Sequence, residues 1–514
     1  FHEAMQLFWL FALLAGVINY GRLDDYLGPY LVADLKSGRL TDEEAYRYIH
    51  SLWTMIENRR TTVNGRIIVG GKGRKHPKEA DVFLHIAMKV AKNCRYVEPQ
   101  FTLRFDKDTS EEIWDEALDA LGAGATYPTL YNDDVNVPAV MYGMRVDEKA
   151  AEQYVPFGCT EFVIQGQSTG TPNICINLLK LLTIYMNDGI DPIDGKRKSG
   201  PVPLKKLEEY QTFEEFYDGY KALLDYYLDL SVKAQYHSYE VMNQHVSFLF
   251  TSLLTDDCIA RGKALLDGGV RYLGGTNETY GNINTSDSLW VIRDLVFNQK
   301  KYTLRQLNDA MLANFNGYEA LRKDCLNCDK YGNDLETADT MANDLYEFVA
   351  KGVRNRGIAI GMQYFLIVIS NNQLNTEWGN RTAASPDGRL SCMYMNPANN
   401  PQGGANKSGP TAMLNSLAKF DAKYHGGSVQ NIKFSPSMFN ENRAVIKSLF
   451  KTYFAKGGCH LMVTVVDKGV LEDAVEHPEN YPDLIVRVSG FSAVFVDLSP
   501  NIQQELLSRV LYDK

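Results

Sequence analysis

Near its carboxyl end the chain reads Leu484-Ile485-Val486-Arg487-Val488-Ser489-Gly490-Phe491-Ser492-Ala493-Val494-Phe495-Val496-Asp497-Leu498. Two apolar runs meet at Ser489-Gly490, and this pattern predicts a buried β-hairpin with a glycine at its tip. A turn often selects glycine for a positive φ. Glycine is also the one residue with no side chain to oppose a planar backbone radical, which the neighbouring amide groups would delocalise. The segment by itself leaves both explanations open.

The second informative segment reads Val155-Pro156-Phe157-Gly158-Cys159-Thr160-Glu161-Phe162. Proline and glycine before Cys159 predict a tight loop that lifts its side chain away from the chain. Residues i and i+2 of an extended segment project to the same side, so Cys159 and Glu161 can face one cavity. A buried cysteine beside a solvated glutamate is the alternative, because free cysteine is among the most buried residue types.

The rest of the chain predicts an α/β protein. Helical periodicity covers residues 41–57, 79–92, 204–234 and 304–315, and strand-like runs cover residues 66–69, 101–105 and 460–466. A closed barrel is one way to accommodate many such units. Segments 268–287 and 371–409 are rich in Gly and Asn, and we expect both to be long loops over a site.

The amino end carries an apolar run, residues 4–18, that is shorter than the roughly 20 residues a membrane span requires. It lacks the basic region of a signal peptide, so it predicts a buried helix. We expect the chain to begin within a larger protein.

Composition narrows the function. The formal charge of -10 disfavours nucleic-acid binding, which usually requires a basic face, and favours a small-molecule substrate. Eight scattered cysteines suit a reducing cytoplasm. Cys325 and Cys328 have zinc-ligand spacing, but no second ligand pair stands at a usual distance, so no metal site is predicted.

The motif Arg487-Val488-Ser489-Gly490-Phe491 resembles the signature of glycyl radical enzymes, and Gly158-Cys159-Thr160-Glu161 resembles the cysteine loop of that family. Further matching segments extend the resemblance over essentially the whole chain: 287–289, 385–389, 409–412, 467–468 and 477–479. The resemblance implies a ten-stranded β/α barrel of two half-barrels surrounded by helices, with both loops inside. It also implies an amino-terminally shortened barrel domain, 1–390, and a glycine radical domain, 391–514.

The resemblance implies a mechanism as well. A separate radical S-adenosylmethionine activating enzyme, which carries an iron–sulfur cluster, would remove a hydrogen from Gly490. The Gly490 radical would then draw hydrogen from Cys159, and the thiyl radical would take a hydrogen atom from a substrate carbon. The chain would need no metal of its own. A homodimer and a cytoplasmic location are also expected, without a nucleic-acid or membrane partner.

The residues that follow the loop cysteine, here Thr160 and Glu161, distinguish branches of this family. Pyruvate formate-lyases carry two adjacent cysteines, whereas this chain has Thr160 after Cys159. The cysteine loops of radical eliminases and of some arylacetate decarboxylases resemble the pattern Gly-Cys-x-Glu, which this chain has. The resemblance therefore implies an eliminase, first of all a dehydratase of a small hydroxylated substrate, with Glu161 as the base. An arylacetate decarboxylase and a formate acetyltransferase-like C–C lyase are the alternatives.

The sequence does not identify the substrate. Diol dehydratases of the family carry polar residues where this chain has Gly16-Val17, and an aspartate near where it has Asn173. A site that lacks those hydrogen bonds rejects its substrate strongly, which disfavours glycerol and propanediol. Asn19, Tyr20 and Asn173 are candidate substrate-binding residues, with packing or loop capping as their alternative roles.

Overall fold

The computed structural model describes residues 1–16, 19–60, 65–170, 174–246, 248–370 and 373–513. Within these ranges the strands are β1 (Asn19–Arg22), β2 (Arg66–Gly70), β3 (Phe101–Phe105), β4 (Thr129–Asn132), β5 (Tyr154–Phe157), β6 (Glu161–Ile164), β7 (Ile174–Asn177), β8 (Gly274–Tyr280), β9 (Tyr364–Ile369), β10 (His425–Ser428), β11 (Asn431–Phe434), β12 (His460–Val465), β13 (Ile485–Arg487) and β14 (Ser492–Val494).

The α-helices of the described ranges are α1 (His2–Leu14), α2 (Leu23–Lys36), α3 (Asp42–Asn58), α4 (Pro77–Asn93), α5 (Glu111–Gly122), α6 (Asp133–Met144), α7 (Glu148–Ala151), α8 (Leu178–Met186), α9 (Phe213–His245), α10 (Leu249–Leu253), α11 (Cys258–Arg261), α12 (Asn282–Val291), α13 (Leu304–Leu312), α14 (Glu319–Asn327), α15 (Glu336–Ala359), α16 (Leu374–Gly379), α17 (Gly409–Ala418), α18 (Pro436–Glu441), α19 (Arg443–Ala455), α20 (Lys468–Glu476) and α21 (Pro500–Ser508).

Ten of these strands form two sheets. The first has the order β1-β2-β3-β4-β12-β11 and is parallel except between β4 and β12, and the second has the order β10-β9-β8-β7 and is wholly parallel. The hairpins β5–β6 and β13–β14 stand apart from both sheets. The α/β class and the barrel of two half-barrels are thereby confirmed.

Strands from the carboxyl-terminal quarter of the chain belong to both sheets. Strand β10 borders β9 in the second sheet, while β11 and β12 complete the first. The residues after 391 therefore contribute to the same barrel that the earlier residues build.

Amphipathic helices pack against the sheets with one apolar face, whereas α8 and α12 are buried on nearly all sides. Helix α3 shows the local cause: the Thr41 hydroxyl accepts the Glu44 N–H while the Glu44 carboxylate accepts the Thr41 N–H, which satisfies the first turn. Its apolar positions then recur at helical spacing and are buried: Ala45, Ile49, Leu52, Trp53 and Ile56.

Most of the predicted elements are confirmed within a few residues, including α3, α4, α13 and strands β2, β3 and β12. The predicted helix 204–234 is partly wrong. A short 3-10 turn occupies Leu207–Glu209, and α9 begins only at Phe213, because the Thr212 side chain accepts the Glu215 N–H and caps the helix there.

The segment 268–287 is not the loop that the sequence predicted. It contains β8, whose seven residues are all buried between β7 and β9, followed by the start of α12. Its polar composition suggested a loop, but its polar side chains are paired inside the fold; Asn277, for example, donates to Ser231 Oγ at 2.6 Å. In the other predicted loop, Leu374–Gly379 forms α16, and residues 380–408 are irregular as expected.

The predicted helix at the amino end is present, but the prediction that this helix is buried is wrong. Helix α1 buries Met5 and Ala12, but Leu7, Leu10 and Phe11 are more than half exposed. The helix is apolar around most of its circumference and packs with one face only. Among the described residues, no helix combines the length and the apolarity that crossing a membrane requires.

Candidate active site

The Cys159 loop is a strained three-residue turn. Phe157 pairs with Glu161 at the end of hairpin β5–β6, and Thr160 N donates to Phe157 O at 3.0 Å. Gly158 has a φ of 49° and Thr160 a φ of 123°, a region that β-branched residues rarely adopt. Thr160 is fully buried, so its surroundings hold this conformation. The turn directs Cys159 into the interior, where it is 5% exposed.

The Gly490 loop meets that turn directly. Hairpin β13–β14 pairs Arg487 with Ser492 and places Gly490 at its tip, as the sequence predicted. The φ of Gly490 is not in the positive region, so the positive-φ explanation for this glycine is wrong. A Cβ at Gly490 would instead overlap Cys159 Cβ and lie 2.6 Å from Cys159 Cα. Close approach is what requires a glycine here.

Two buried arginines hold the two loops. Arg66 Nη2 donates to the Gly158 carbonyl at 2.8 Å. Arg487 donates to the Ser489 carbonyl through Nε and to the Gly490 carbonyl through Nη2, both at 3.1 Å. Because the guanidinium is a rigid fork of donors, each arginine fixes backbone carbonyls next to the contact. Sequence reasoning missed Arg66, since nothing in strand β2 marked it.

Electrostatics keep Cys159 protonated. Burial raises the pKa of this thiol well above its usual range, and the carboxylates of Glu161 and Glu278 raise it further. At neutral pH the group is therefore S–H rather than thiolate. A thiol of this kind is suited to donating a hydrogen atom and poorly suited to nucleophilic attack.

Glu161 lies on the same turn. Its Oε2 is so close to the loop that a Cβ at Gly158 would stand 3.0 Å away. The carboxylate acts electrostatically on the Cys159 thiol. The structure thus brings together Gly490, Cys159 and Glu161, the three residues that the sequence predicted as catalytic.

Glu278 is a second carboxylate of this region and was missed from the sequence. It lies on β8, opposite Cys175 of β7, and it is 8% exposed. Its Oε2 accepts the hydroxyls of Tyr280 at 2.5 Å and Ser370 at 3.0 Å. The segment was predicted as a loop; strand alternation would have directed this side chain inward once β8 was recognised.

The three candidate substrate-binding residues differ in position. Asn19 Oδ1 accepts the Gly158 N–H at 3.3 Å, so Asn19 stands beside the Cys159 loop. Tyr20 packs edge-on against Phe8 of α1 and accepts a hydrogen bond from Arg59 at 2.8 Å. Asn173 lies outside the described residues.

Two family models match the chain. The model described as Pyruvate formate lyase-like matches residues 1–374, well over half of the chain, and the model described as Glycine radical matches residues 395–496. The second match contains the Gly490 hairpin. The chain belongs to the glycyl radical enzyme family, in its pyruvate formate lyase-like branch.

Individual relatives are similar along nearly the whole chain. Trans-4-hydroxy-L-proline dehydratase of Clostridioides difficile is 28% identical over 99% of this chain and 67% of its own length. Indoleacetate decarboxylase of Tractidigestivibacter scatoligenes is 24% identical over 100% of this chain and 63% of its own. The glycerol-bound structure of the B12-independent glycerol dehydratase from Clostridium butyricum superposes with a TM-score of 0.87 at 28% identity, covering 96% of this chain and 64% of that one. The chain spans about two thirds of the length of these relatives.

Proposed function

We propose that the chain is the catalytic part of a glycyl radical eliminase, most specifically a dehydratase of a small hydroxylated compound. The observation that carries the proposal is the contact between Gly490 and Cys159 inside the barrel. Gly490 stores the radical, Cys159 relays it as a thiyl radical, and Glu161 acts as the base.

The relay is supported by the direct contact of the two residues. The Gly490 hydrogen that occupies the position of an L side chain points at Cys159, and this contact supports the transfer of a hydrogen atom between the two residues. The Cys159 thiyl radical then takes a hydrogen atom from the substrate carbon that bears a hydroxyl, and the Cys159 S–H bond re-forms. A buried site protects such a radical from water.

Elimination follows from the base beside the thiol. Glu161 accepts the hydroxyl proton of the substrate radical, and the resulting ketyl radical expels hydroxide from the neighbouring carbon. The hydroxide takes the proton from Glu161 and leaves as water. The product radical recovers its hydrogen atom from the Cys159 thiol, and Cys159 recovers one from Gly490. Atoms and electrons thus balance without a metal in this chain.

The partners follow from the same chemistry. Removal of the first hydrogen from Gly490 is assigned to a radical S-adenosylmethionine activating enzyme with an iron–sulfur cluster. The protein would act as a homodimer in the cytoplasm, where its eight cysteines, all free in the structure, stay reduced. Residues 391–514, the predicted glycine radical domain, would carry the radical loop and supply the strands that complete the barrel begun by residues 1–390.

Radical decarboxylation of an arylacetate is the second candidate, since a decarboxylase is among the relatives. It would use the same Cys159 and Glu161. A formate acetyltransferase-like reaction is disfavoured, because Thr160 replaces the second cysteine that acyl transfer uses. For the substrate pocket, Asn19 is the candidate that its contact with the Cys159 loop supports.

The test is an anaerobic electron paramagnetic resonance (EPR) spectrum after incubation with a glycyl radical activase, S-adenosylmethionine and a reductant. We expect a doublet that collapses when the protein is labelled with α-deuterated glycine. Product analysis with hydroxylated substrates then separates water loss from carbon dioxide release. A spectrum with no glycine-based signal after treatment with several activases would contradict the proposal.

A further inference from the structure

Arg66 anchors the peptide bond that leads into Cys159. Its Nη2 donates to the Gly158 carbonyl at 2.8 Å. A peptide unit is planar, so this carbonyl shares one rigid plane with the nitrogen and the Cα of Cys159. A Cβ at Gly490 would stand 2.6 Å from that Cα. Rotation of the peptide plane between Gly158 and Cys159 would therefore move Cys159 relative to Gly490.

Gln100 accepts a hydrogen bond from the same nitrogen of Arg66. Its Oε1 lies 2.8 Å from Arg66 Nη2, and both side chains are fully buried. The backbone brings the two residues together, because Ile67 N donates to the Gln100 carbonyl at 3.2 Å where strands β2 and β3 begin to pair. A guanidinium only donates, so the oxygen end of the Gln100 amide must face it. The nitrogen end lies 3.5 Å from Glu98 Oε1, which agrees with this orientation.

Thr102 holds the other end of the guanidinium. Its Oγ1 accepts from Arg66 Nη1 at 2.9 Å. One contact at Nη1 leaves the guanidinium able to turn about that contact, whereas a second contact at Nη2 fixes its plane. Gln100 therefore determines where Nη2 stands, and Nη2 is the atom that binds the Gly158 carbonyl.

We propose that Gln100 is a positioning residue for the hydrogen transfer between Gly490 and Cys159. It acts through Arg66, which fixes the Gly158 peptide plane and with it the direction of the Cys159 side chain. This inference rests on the proposed function and adds to it a residue two hydrogen bonds away from the catalytic turn. In the transfer, the S–H bond of Cys159 breaks, a C–H bond forms at the Gly490 radical and the unpaired electron moves to sulfur. Such a step requires close alignment, since a misplacement of about 1 Å can cost about 100-fold in rate.

Gln100→Met tests this chain of contacts, because methionine has a similar length and only a weak acceptor. The first readout is hydrogen exchange of residues 158–161 in the full chain without activation, which should accelerate by about 10-fold or more once the buried anchor is lost. The second is the rate at which the EPR doublet of the activated protein collapses in deuterium oxide, measured per glycine radical. This rate reports hydrogen transfer through Cys159 and should fall by about 10-fold or more.

Gln100→Glu is the conservative variant, since it keeps an oxygen that faces Arg66. Burial raises the pKa of the neighbouring Glu98 to about 8, so that group carries a proton at neutral pH and does not repel the new carboxylate. Both rates should stay near those of the unmodified protein. Tyr220→Phe is the matched control, because it removes a buried hydrogen bond of the same kind, from the Tyr220 hydroxyl to the Leu178 carbonyl, and should move neither rate.

Unchanged exchange of residues 158–161 in Gln100→Met, or an unchanged rate of collapse, would overturn the inference. Equal losses in Gln100→Glu and Gln100→Met would overturn it too, because the acceptor would then not matter. Gln100→Asn retracts the acceptor by one methylene and provides the same test if the methionine variant does not fold. A lack of any glycine doublet in the unmodified protein would contradict the proposed function instead, and hydrogen exchange would still decide whether Gln100 holds the Cys159 turn.

Discussion

Gly490 and Cys159 touch across the interior of the barrel, although they lie at the tips of two different hairpins. A Cβ at Gly490 would overlap Cys159 Cβ and would stand 2.9 Å from the Cys159 carbonyl oxygen. No side chain fits between the two residues, and no other residue type fits at position 490. The geometry therefore explains the choice of glycine through contact, independently of the chemistry that the contact permits.

Gly490→Ala should destabilise the fold as well as abolish the radical. The added methyl group would force the Cys159 turn to move, and overpacking of this kind costs about 1–3 kcal/mol. Urea unfolding measures the loss, and EPR after activation should show no glycine doublet. Gly469→Ala is the control, because Gly469 is exposed in α20 and an added Cβ would meet only the Asp467 carboxylate, at 3.2 Å, so this variant should change stability far less. Unchanged stability of Gly490→Ala would contradict the packing of the two loops.

Cys159→Ser should retain the Gly490 radical but isolate it from solvent hydrogen. In the unmodified protein the thiol exchanges with deuterium oxide and passes deuterium to Gly490, so the EPR doublet should collapse in deuterium oxide. A hydroxyl gives up its hydrogen atom far less readily than a thiol, so the variant should keep its doublet. Cys175→Ser is the control. The Cys175 thiol contacts Glu278 and is not part of the proposed relay, so this variant should still show collapse of the doublet in deuterium oxide. Collapse in the Cys159 variant would assign the relay to another group.

The parts of the site that lie on single segments could be predicted from the sequence. The apolar runs on both sides of Ser489-Gly490 predicted the hairpin, and the i, i+2 spacing placed Cys159 and Glu161 together. Local patterns determine such features. The meeting of the two loops was implied by the family resemblance alone, since nothing local couples the segments.

Features that depend on tertiary burial could not be predicted. Strand β8 is polar in sequence and became a strand because β7 and β9 cover it on both sides. Glu278 and Arg66 were not predicted as site residues for the same reason, because the sequence of a short strand does not show whether a charged residue in it is buried. For helix α1 the error was the opposite one, because residues predicted to be buried are exposed. An apolar sequence does not show which face of a helix is covered.

Arg487→Lys should loosen the Gly490 loop. Lysine lacks the fork that reaches the carbonyls of Ser489 and Gly490 together, and a buried carbonyl left unpaired costs about 1–3 kcal/mol. Hydrogen exchange of residues 488–491 should accelerate, and the EPR signal should decay faster after exposure to air. Arg39→Lys is the control, because this exposed arginine pairs only at the surface and should change stability by less than about 0.5 kcal/mol. Unchanged exchange in the Arg487 variant would mean that backbone packing holds the loop, or that Arg509 does, which donates to the Val488 carbonyl.

Glu161→Gln separates radical formation from elimination. An amide of the same shape cannot accept the hydroxyl proton of the substrate radical, whereas transfer of hydrogen between Gly490 and Cys159 does not involve that proton. The spin concentration measured by EPR should stay close to that of the unmodified protein, while the rate of product release falls by about 100- to 10,000-fold, the usual contribution of a general base. Glu161→Asp, which keeps a carboxylate one methylene further back, should recover part of the rate. Undiminished product release by the glutamine variant would remove Glu161 from the mechanism and leave Glu278, the other carboxylate that acts on Cys159, as the base to test next.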